Sequence, residues 1–161
     1  MPIQTFKIYT GKGYAGDLVD SGPRTIQSGV LTTSSAGFGL GMQRDTSVER
    51  GCKLGGVAGA LYAISQREYN HEAATRPSDG STVYNVTETV SLIRQGYLYI
   101  QLTGAAAIAE GAALSIDSVT GEFTFDLVGV NANAVMLTNV FAQEAGIAGD
   151  VIKVRIDIVG A

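Results

Sequence analysis

The sequence predicts an all-β protein, a jelly roll or barrel-like β-sandwich with glycine-rich loops and little helix. Three observations carry that prediction. Apolar and polar residues alternate with a period of two along most of the chain, the mark of strands with one face buried and one face wet. Glycine supplies 21 of 161 residues, near twice the usual share of about 7%, and these residues punctuate short, evenly spaced apolar runs. Good helix formers never accumulate into a long uninterrupted segment. The length suits a single β-rich domain spanning residues 1–161, with enough chain to bury a sizeable core.

Taken in chain order, the first strand candidate is Phe6–Thr10, which is either an edge strand of the core or part of an extended arm over residues 1–10. Val30–Thr33 and Ala60–Ser65 follow, although VAGALYAISQREY reads as helical or extended on periodicity alone. In TVYNVTETVSLIRQ, Tyr84, Val86, Val90 and Leu92 share one face, with an interruption at Glu88 where the strand curves or ends. GYLYIQLT alternates Leu98, Ile100 and Leu102 with Tyr97, Tyr99 and Gln101. The best helical stretch, Ala105 to Glu110, is bounded by Gly104 and Gly111 and amounts to one turn or a loop. In GEFTFDLVGV, Phe123, Phe125 and Leu127 oppose Glu122, Thr124 and Asp126. Ala134–Ala142 is a further candidate, and DVIKVRIDIV places Ile152, Val154, Ile156 and Ile158 opposite Lys153, Arg155 and Asp157. Burying those four apolar side chains is worth roughly 6–12 kcal/mol as an upper bound, against about 0.2–1 for an exposed charge pair, so the apolar face sets the register.

One motif raises a different possibility. GKGYAG at residues 11–16 is G-x-G-x-x-G after the strand-like FKIYT, the spacing of a dinucleotide fingerprint. That chemistry needs a following helix whose free N–H groups receive the pyrophosphate. Gly22-Pro23 breaks any helix within about two turns, and SSAGFGLG stands where the ribose-binding acid belongs. The motif therefore reads as a loop between strands, and no cofactor is expected. A Gly-Asp or Gly-Glu pair recurs at 16–17, 121–122 and 149–150, and AGDLVDS resembles AGDVIKV. Each pair suits a tight turn whose left-handed position needs glycine.

Residue types exclude most catalytic classes. A net charge of −4 and a pI near 4.9, with no basic stripe in the sequence, argue against nucleic acid. No run reaches the roughly 18 apolar residues of a membrane span, and MPIQTFKIYT lacks the pattern of a signal peptide, so synthesis in a cytoplasm is expected. Asn85-Val86-Thr87 then reads as strand sequence rather than a glycosylation site. Cys52 and His71 are the sole residues of their kinds, which leaves no zinc site, and they read as a half-buried structural thiol and a loop histidine. No serine lies in G-x-S-x-G. Asp117, Glu122 and Asp126 lie close enough in sequence for paired-carboxylate chemistry, but solvated surface charge explains them, and DSVTGE misses the calcium-loop spacing. No catalytic, cofactor-binding or metal-binding residue is assigned, and the chain is not expected to be an enzyme.

The segments AEGAALSIDSVTGEFTF and AQEAGIAGDVIKVRIDIVGA resemble the carboxyl-terminal module of tailed-bacteriophage capsid cement, or head decoration, proteins. GYAGDLVDSGPRTIQSG, AGFGLGMQRDT, GALYAISQREYNHE and VTETVSLIRQGYLYIQL resemble the structural cement proteins of podovirus-like capsids. The resemblance implies a β-rich protein without catalysis that binds the outer surface of the assembled major capsid lattice, bridging adjacent subunits. It implies a virion location and a homotrimer in preference to a homodimer, while charge and hydropathy leave no nucleic-acid or membrane partner expected. Within that reading the arm supplies the capsid contact, through Pro2, Ile3, Phe6, Ile8 and Tyr9, by adding a strand to a capsid edge. The alternative is a β-rich virion-surface module binding a glycan or small molecule, with Tyr97 and Tyr99 in an aromatic pocket. A carboxylate-based hydrolase ranks third.

Overall fold

The computed structural model describes residues 13–19, 22–68, 83–125 and 131–158. Among them it has nine strands and no helix. The strands are β1 Thr25–Leu31, β2 Gly41–Asp45, β3 Gly51–Leu54, β4 Ala63–Ser65, β5 Thr89–Thr103, β6 Ala113–Asp117, β7 Phe123–Thr124, β8 Ala134–Ala142 and β9 Val151–Ile156. Hydrogen-bonded neighbours run β1-β3-β2-β4-β5-β7-β6-β8-β9, and β5 pairs additionally with both β1 and β9. Those two extra pairings close the sheet twice. The result is two rings of five strands, β1 to β5 and β5 to β9, that share β5. Closure removes sheet edges, which decides for a barrel over a jelly roll.

β5 can serve two rings because it is 15 residues long and changes partners midway. Thr89 to Gln95, Arg94 excepted, pair with β1, and Gly96 to Gln101 pair with β9. The change is marked by a bulge: Thr25 faces Gln95 and Ile26 faces Ile93, so Arg94 is the extra residue. Before the bulge, Leu92 lies in one core and Ile93 in the other. After it, Leu98, Ile100 and Leu102 all face the second core. β4 repeats the division, with Ala63 in the first core and Ile64 in the second.

The first core gathers Leu31, Met42, Cys52, Tyr84 and Leu92, while the second, larger core is built on Leu114, Ile116, Phe123, Leu137 and Ile152 among others. Each fully buried aliphatic side chain contributes roughly 1.5–3 kcal/mol. Because Ile64 and Ile93 of the first ring pack into the second core, the rings are joined by apolar burial as well as by a shared backbone.

Ala134–Ala142 is a strand with the predicted bounds. Ile152, Val154 and Ile156 are fully buried as predicted, but Ile158 is 41% exposed, because β9 ends at Ile156 and alternation ends with it. The GEFTFDLVGV segment departs further. Its strand is only Phe123–Thr124, and Thr124 is buried on the face predicted to be wet. Val30–Thr33 begins earlier, at Thr25, and ends at Leu31, and Ala60–Ser65 shortens to Ala63–Ser65. The segments around Glu88 and Gly96 join differently from expectation: Tyr84 and Val86 lie outside β5, and Thr89 opens a strand that runs through Gly96. Ala105 to Glu110 is not helical, and Ile108 instead bridges to Gly146. Three strands, β2, β3 and β6, escaped prediction because each is five residues or fewer. The Phe6–Thr10 candidate lies outside the described residues.

Recurrent turns organise the loops. At Tyr14–Asp17 the Asp17 N–H donates to the Tyr14 carbonyl (2.9 Å) and the Asp17 carboxylate accepts from the Tyr14 N–H (2.8 Å). Ile147–Asp150 repeats both bonds, at 3.0 and 3.0 Å. In each, the glycine N–H donates to β5 and a β5 N–H donates back to the aspartate carbonyl, at Tyr99 for the first turn and at Leu102 for the second. The glycines have φ of 85° and 87°, the left-handed conformation expected of them, and Gly121 has 74°. The weak sequence repeat is thus one turn used twice against the same strand.

Candidate interaction surface

The glycine loop does no phosphate chemistry in this geometry. The Gly16 N–H, which a phosphate would need, donates to the Tyr99 carbonyl at 2.7 Å. A Cβ on Gly16 would lie 2.8 Å from the Arg67 nitrogen, and one on Gly13 would lie 2.5 Å from the Tyr99 ring. Backbone proximity, not a ligand, explains these glycines. Arg67 fastens the loop from outside: its guanidinium lies 4.5 Å from the Tyr14 ring centroid and 5.7 Å from that of Phe38, and its Nε is 3.9 Å from an Asp17 oxygen.

The isolated reactive side chains have structural roles. Asp117 accepts hydrogen bonds from the Val119 and Thr120 N–H groups and from the Asn131 amide. Burial works to raise its pKa, but those donors prevail and hold it below the ordinary carboxylate value. Glu122 is exposed on the same turn, and Asp126 lies outside the described residues. Cys52 is fully buried rather than half-buried, and its thiol approaches the Val30 carbonyl at 3.4 Å. Burial, aided by the nearby Asp45 charge, pushes that thiol up to about 11, so little thiolate forms at neutral pH. No group of three or more His, Cys, Asp or Glu residues suited to a metal occurs among the described residues. His71 and the predicted contact residues Pro2, Ile3, Phe6, Ile8 and Tyr9 lie outside the described residues.

Among the described residues, Tyr97 and Tyr99 make no ring–ring contact. Lys153 sits 5.0 Å from the Tyr97 ring centroid, and Tyr99 fills the space beside Gly13. A concave feature lies elsewhere among the described residues. A cleft of about 330 Å³ opens between Gln27 of β1, Arg44 of β2, Glu49 and Arg50 of the β2–β3 turn, Tyr62 and the bulge residue Arg94. The turn that forms its outer wall is held by Asp45, whose carboxylate accepts from the Ser47 hydroxyl (2.6 Å), the Ser47 N–H (3.0 Å) and the Thr32 hydroxyl (2.6 Å). Arg50 adopts φ of 56° to close that turn.

The sequence shows no basic stripe, yet the fold brings three arginines to one cleft from two strands and a turn. Their separation along the chain hides them, since only strand pairing makes neighbours of residues 44, 50 and 94. An arginine breaking the apolar alternation of β5 was the one available signal. Large apolar side chains also stand exposed outside the cleft, with Val57 at 58%, Val119 at 63%, Met136 at 52% and Ile147 at 60%.

Comparison with known proteins agrees with a structural role for the chain. The model of the structural cement protein family, described by E217 gp24 and Pam3 gp6, matches residues 3–157. Among solved structures, a chain from the capsid of Myoviridae phage XM1 superposes with a TM-score of 0.67 at 13% identity, covering 91% of each chain. That likeness is one of fold. No curated protein matches.

Proposed function

Because the chain belongs to the structural cement protein family, we propose that it binds the outer surface of the assembled major capsid lattice and stabilises it by bridging adjacent capsid subunits. The family is one of structural phage proteins, and the chain is a capsid-associated component of the virion. The observation that carries the proposal is the family match over nearly the whole chain. The fold supports it physically. Two closed rings sharing a strand make a stiff body, and a stiff body loses little conformational entropy on docking.

A cement protein works by adding buried interface after assembly, with no chemical step. A standard contact of roughly 1,600 Å² repeated across a shell resists internal pressure through mass action alone. The whole chain acts as one cement domain, made in the host cytoplasm and placed on the shell as a homotrimer at threefold and quasi-threefold positions. Homodimers at twofold positions are the competing arrangement. Pro2, Ile3, Phe6, Ile8 and Tyr9 supply a strand-adding arm to the capsid edge.

The test is co-sedimentation of the purified chain with empty expanded capsids of its phage. Saturable binding at a fixed ratio per capsid subunit, with raised resistance of the shell to heat, is expected. Absence of binding at any capsid state overturns the proposal. Deleting residues 2–9 should abolish decoration while leaving the circular-dichroism spectrum unchanged, and full occupancy by the truncated chain would exclude the arm.

A further inference from the structure

We propose that the cleft between β1, β2 and β5 is a receptor site for a carboxylate, the side chain of an aspartate or glutamate on the capsid protein. The proposal rests on the cement reading and assigns it a specific contact. Arg44, Arg50 and Arg94 line the cleft against the single acid Glu49, so cations outnumber anions three to one. Among the described residues none of the three has a carboxylate partner, whereas Arg67 and Arg155 are paired with Asp17 and Asp157. A volume of about 330 Å³ is at the lower end for ligand pockets and suits an inserted side chain better than a free cofactor.

Arg94 is the fixed element of the site. As the extra residue of the β5 bulge it is turned out of the ladder, which is how bulges re-aim side chains. Its guanidinium lies 4.7 Å from the Tyr62 ring centroid. The Gln27 side-chain oxygen receives both the Tyr62 hydroxyl at 3.4 Å and the Arg94 Nη1 at 3.5 Å, a separation at the outer limit of a hydrogen bond. Arg94 Nε is buried and has no acceptor among the described residues. A partly desolvated guanidinium with unfilled donors and no counter-charge carries a cost that an arriving carboxylate offsets. Stacking on an aromatic face holds the planar fork ready for two parallel N–H···O bonds, a geometry that a lysine cannot supply. Arg44 and Arg50 are exposed at the rim, where they steer an acidic partner inward. Glu49 in the wall, and the net charge of −4 over the chain, disfavour a polyanion such as nucleic acid.

Two measurements test the site. The first compares wild type with the rim variant Arg44→Glu/Arg50→Glu and with Arg94→Lys for affinity to empty expanded capsids, with circular dichroism as the folding check. The rim variant, whose side chains are exposed, should fold normally and bind about tenfold more weakly or worse. Arg94→Lys, which keeps the charge, should also weaken binding. Unchanged affinity of the rim variant, with wild type bound normally, overturns the cleft and leaves the cement reading intact. The second titrates the wild-type chain with the peptide acetyl-triglutamate-amide and with inorganic phosphate, following amide and side-chain signals of Gln27, Tyr62 and Arg94 by NMR. Saturable shifts with the peptide and weaker ones with phosphate support the site even should capsid binding fail. Shifts with neither, equal shifts with both, or a rim variant whose only defect is loss of self-association overturns it.

Discussion

The side-chain amide of Asn139 pairs with both backbone groups of Leu61: its oxygen accepts from the Leu61 N–H at 2.8 Å and its nitrogen donates to the Leu61 carbonyl at 3.0 Å. The same nitrogen donates to the Asp157 carbonyl at 2.9 Å. Asn139 is 3% exposed. It lies where the β6–β8 register shifts, so its amide replaces the ladder that the shift interrupts and ties the first ring to the second. Asn139→Ala leaves the two buried Leu61 backbone groups and the partly buried Asp157 carbonyl without this partner and should cost about 2–5 kcal/mol. Asn139→Asp keeps the acceptor but loses both donations and should be nearly as damaging. Urea denaturation monitored by tyrosine fluorescence gives both values, and a loss under 1 kcal/mol for alanine would show that the amide is dispensable.

Thr87 occupies the glycine position of a third turn built like the two aspartate turns. Glu88 N–H donates to the Asn85 carbonyl at 3.1 Å, and the Glu88 carboxylate accepts from the Asn85 N–H at 2.7 Å. Thr87 has φ of 74°, which costs an L residue roughly 1–2 kcal/mol and a β-branched one most. Thr87→Gly should therefore raise stability by about 0.5–1 kcal/mol, the strain relieved exceeding the entropy added to the unfolded chain. A lowered thermal midpoint would mean that the threonine side chain makes a compensating contact.

Gly55 and Gly59 share the left-handed conformation, with φ of 102° and 107°, but differ in surroundings. A Cβ on Gly55 would fall 2.1 Å from the Ser118 carbonyl oxygen, while no atom of the described residues lies within 4 Å of one on Gly59. Gly59→Ala should cost only the backbone strain, about 1 kcal/mol. Gly55→Ala must also separate the β3 end from the β6–β7 turn and should cost about 3 kcal/mol or more. Equal losses in parallel denaturation curves would mean that the Ser118 loop yields freely.

Asp45 sets an acid limit on the cleft wall. Hydrogen bonds from Ser47, then Thr32, lower its pKa from 3.8 to about 2, with Lys53 adding to the effect. A carboxylate whose folded pKa is depressed stabilises the fold fully above its unfolded value, and that contribution disappears as pH falls through the folded one. The β2–β3 turn should accordingly hold at pH 4 and loosen between about pH 4 and 2. NMR titration of the Asp45 carboxyl and the Ser47 amide checks this, and a midpoint near the ordinary aspartate value would remove Asp45 as the clasp. Thr32→Val should raise the midpoint.

Legibility followed the range of the interaction. β8 and β9 could be read because nine and six residues give alternation enough repeats to stand out, and buried aliphatic side chains dominate local charge. β2, β3 and β6 could not, being held by pairing across the chain. The glycine turns were legible as turns, since a left-handed residue declares itself in composition. That Gly16 and Gly149 face the same strand was not, because it depends on where β5 lies.

By itself, then, the sequence determined an all-β chain, the faces of its longer strands and the kind of turn at each Gly-Asp pair, because period-two burial and left-handed backbone are local properties. Tertiary structure alone decided that β5 would be shared by two rings, that a bulge at Arg94 would divide its faces, and that three separated arginines would meet in one cleft. Ring closure and strand pairing are choices among distant segments, and their free energy resides in contacts that no short stretch of sequence contains.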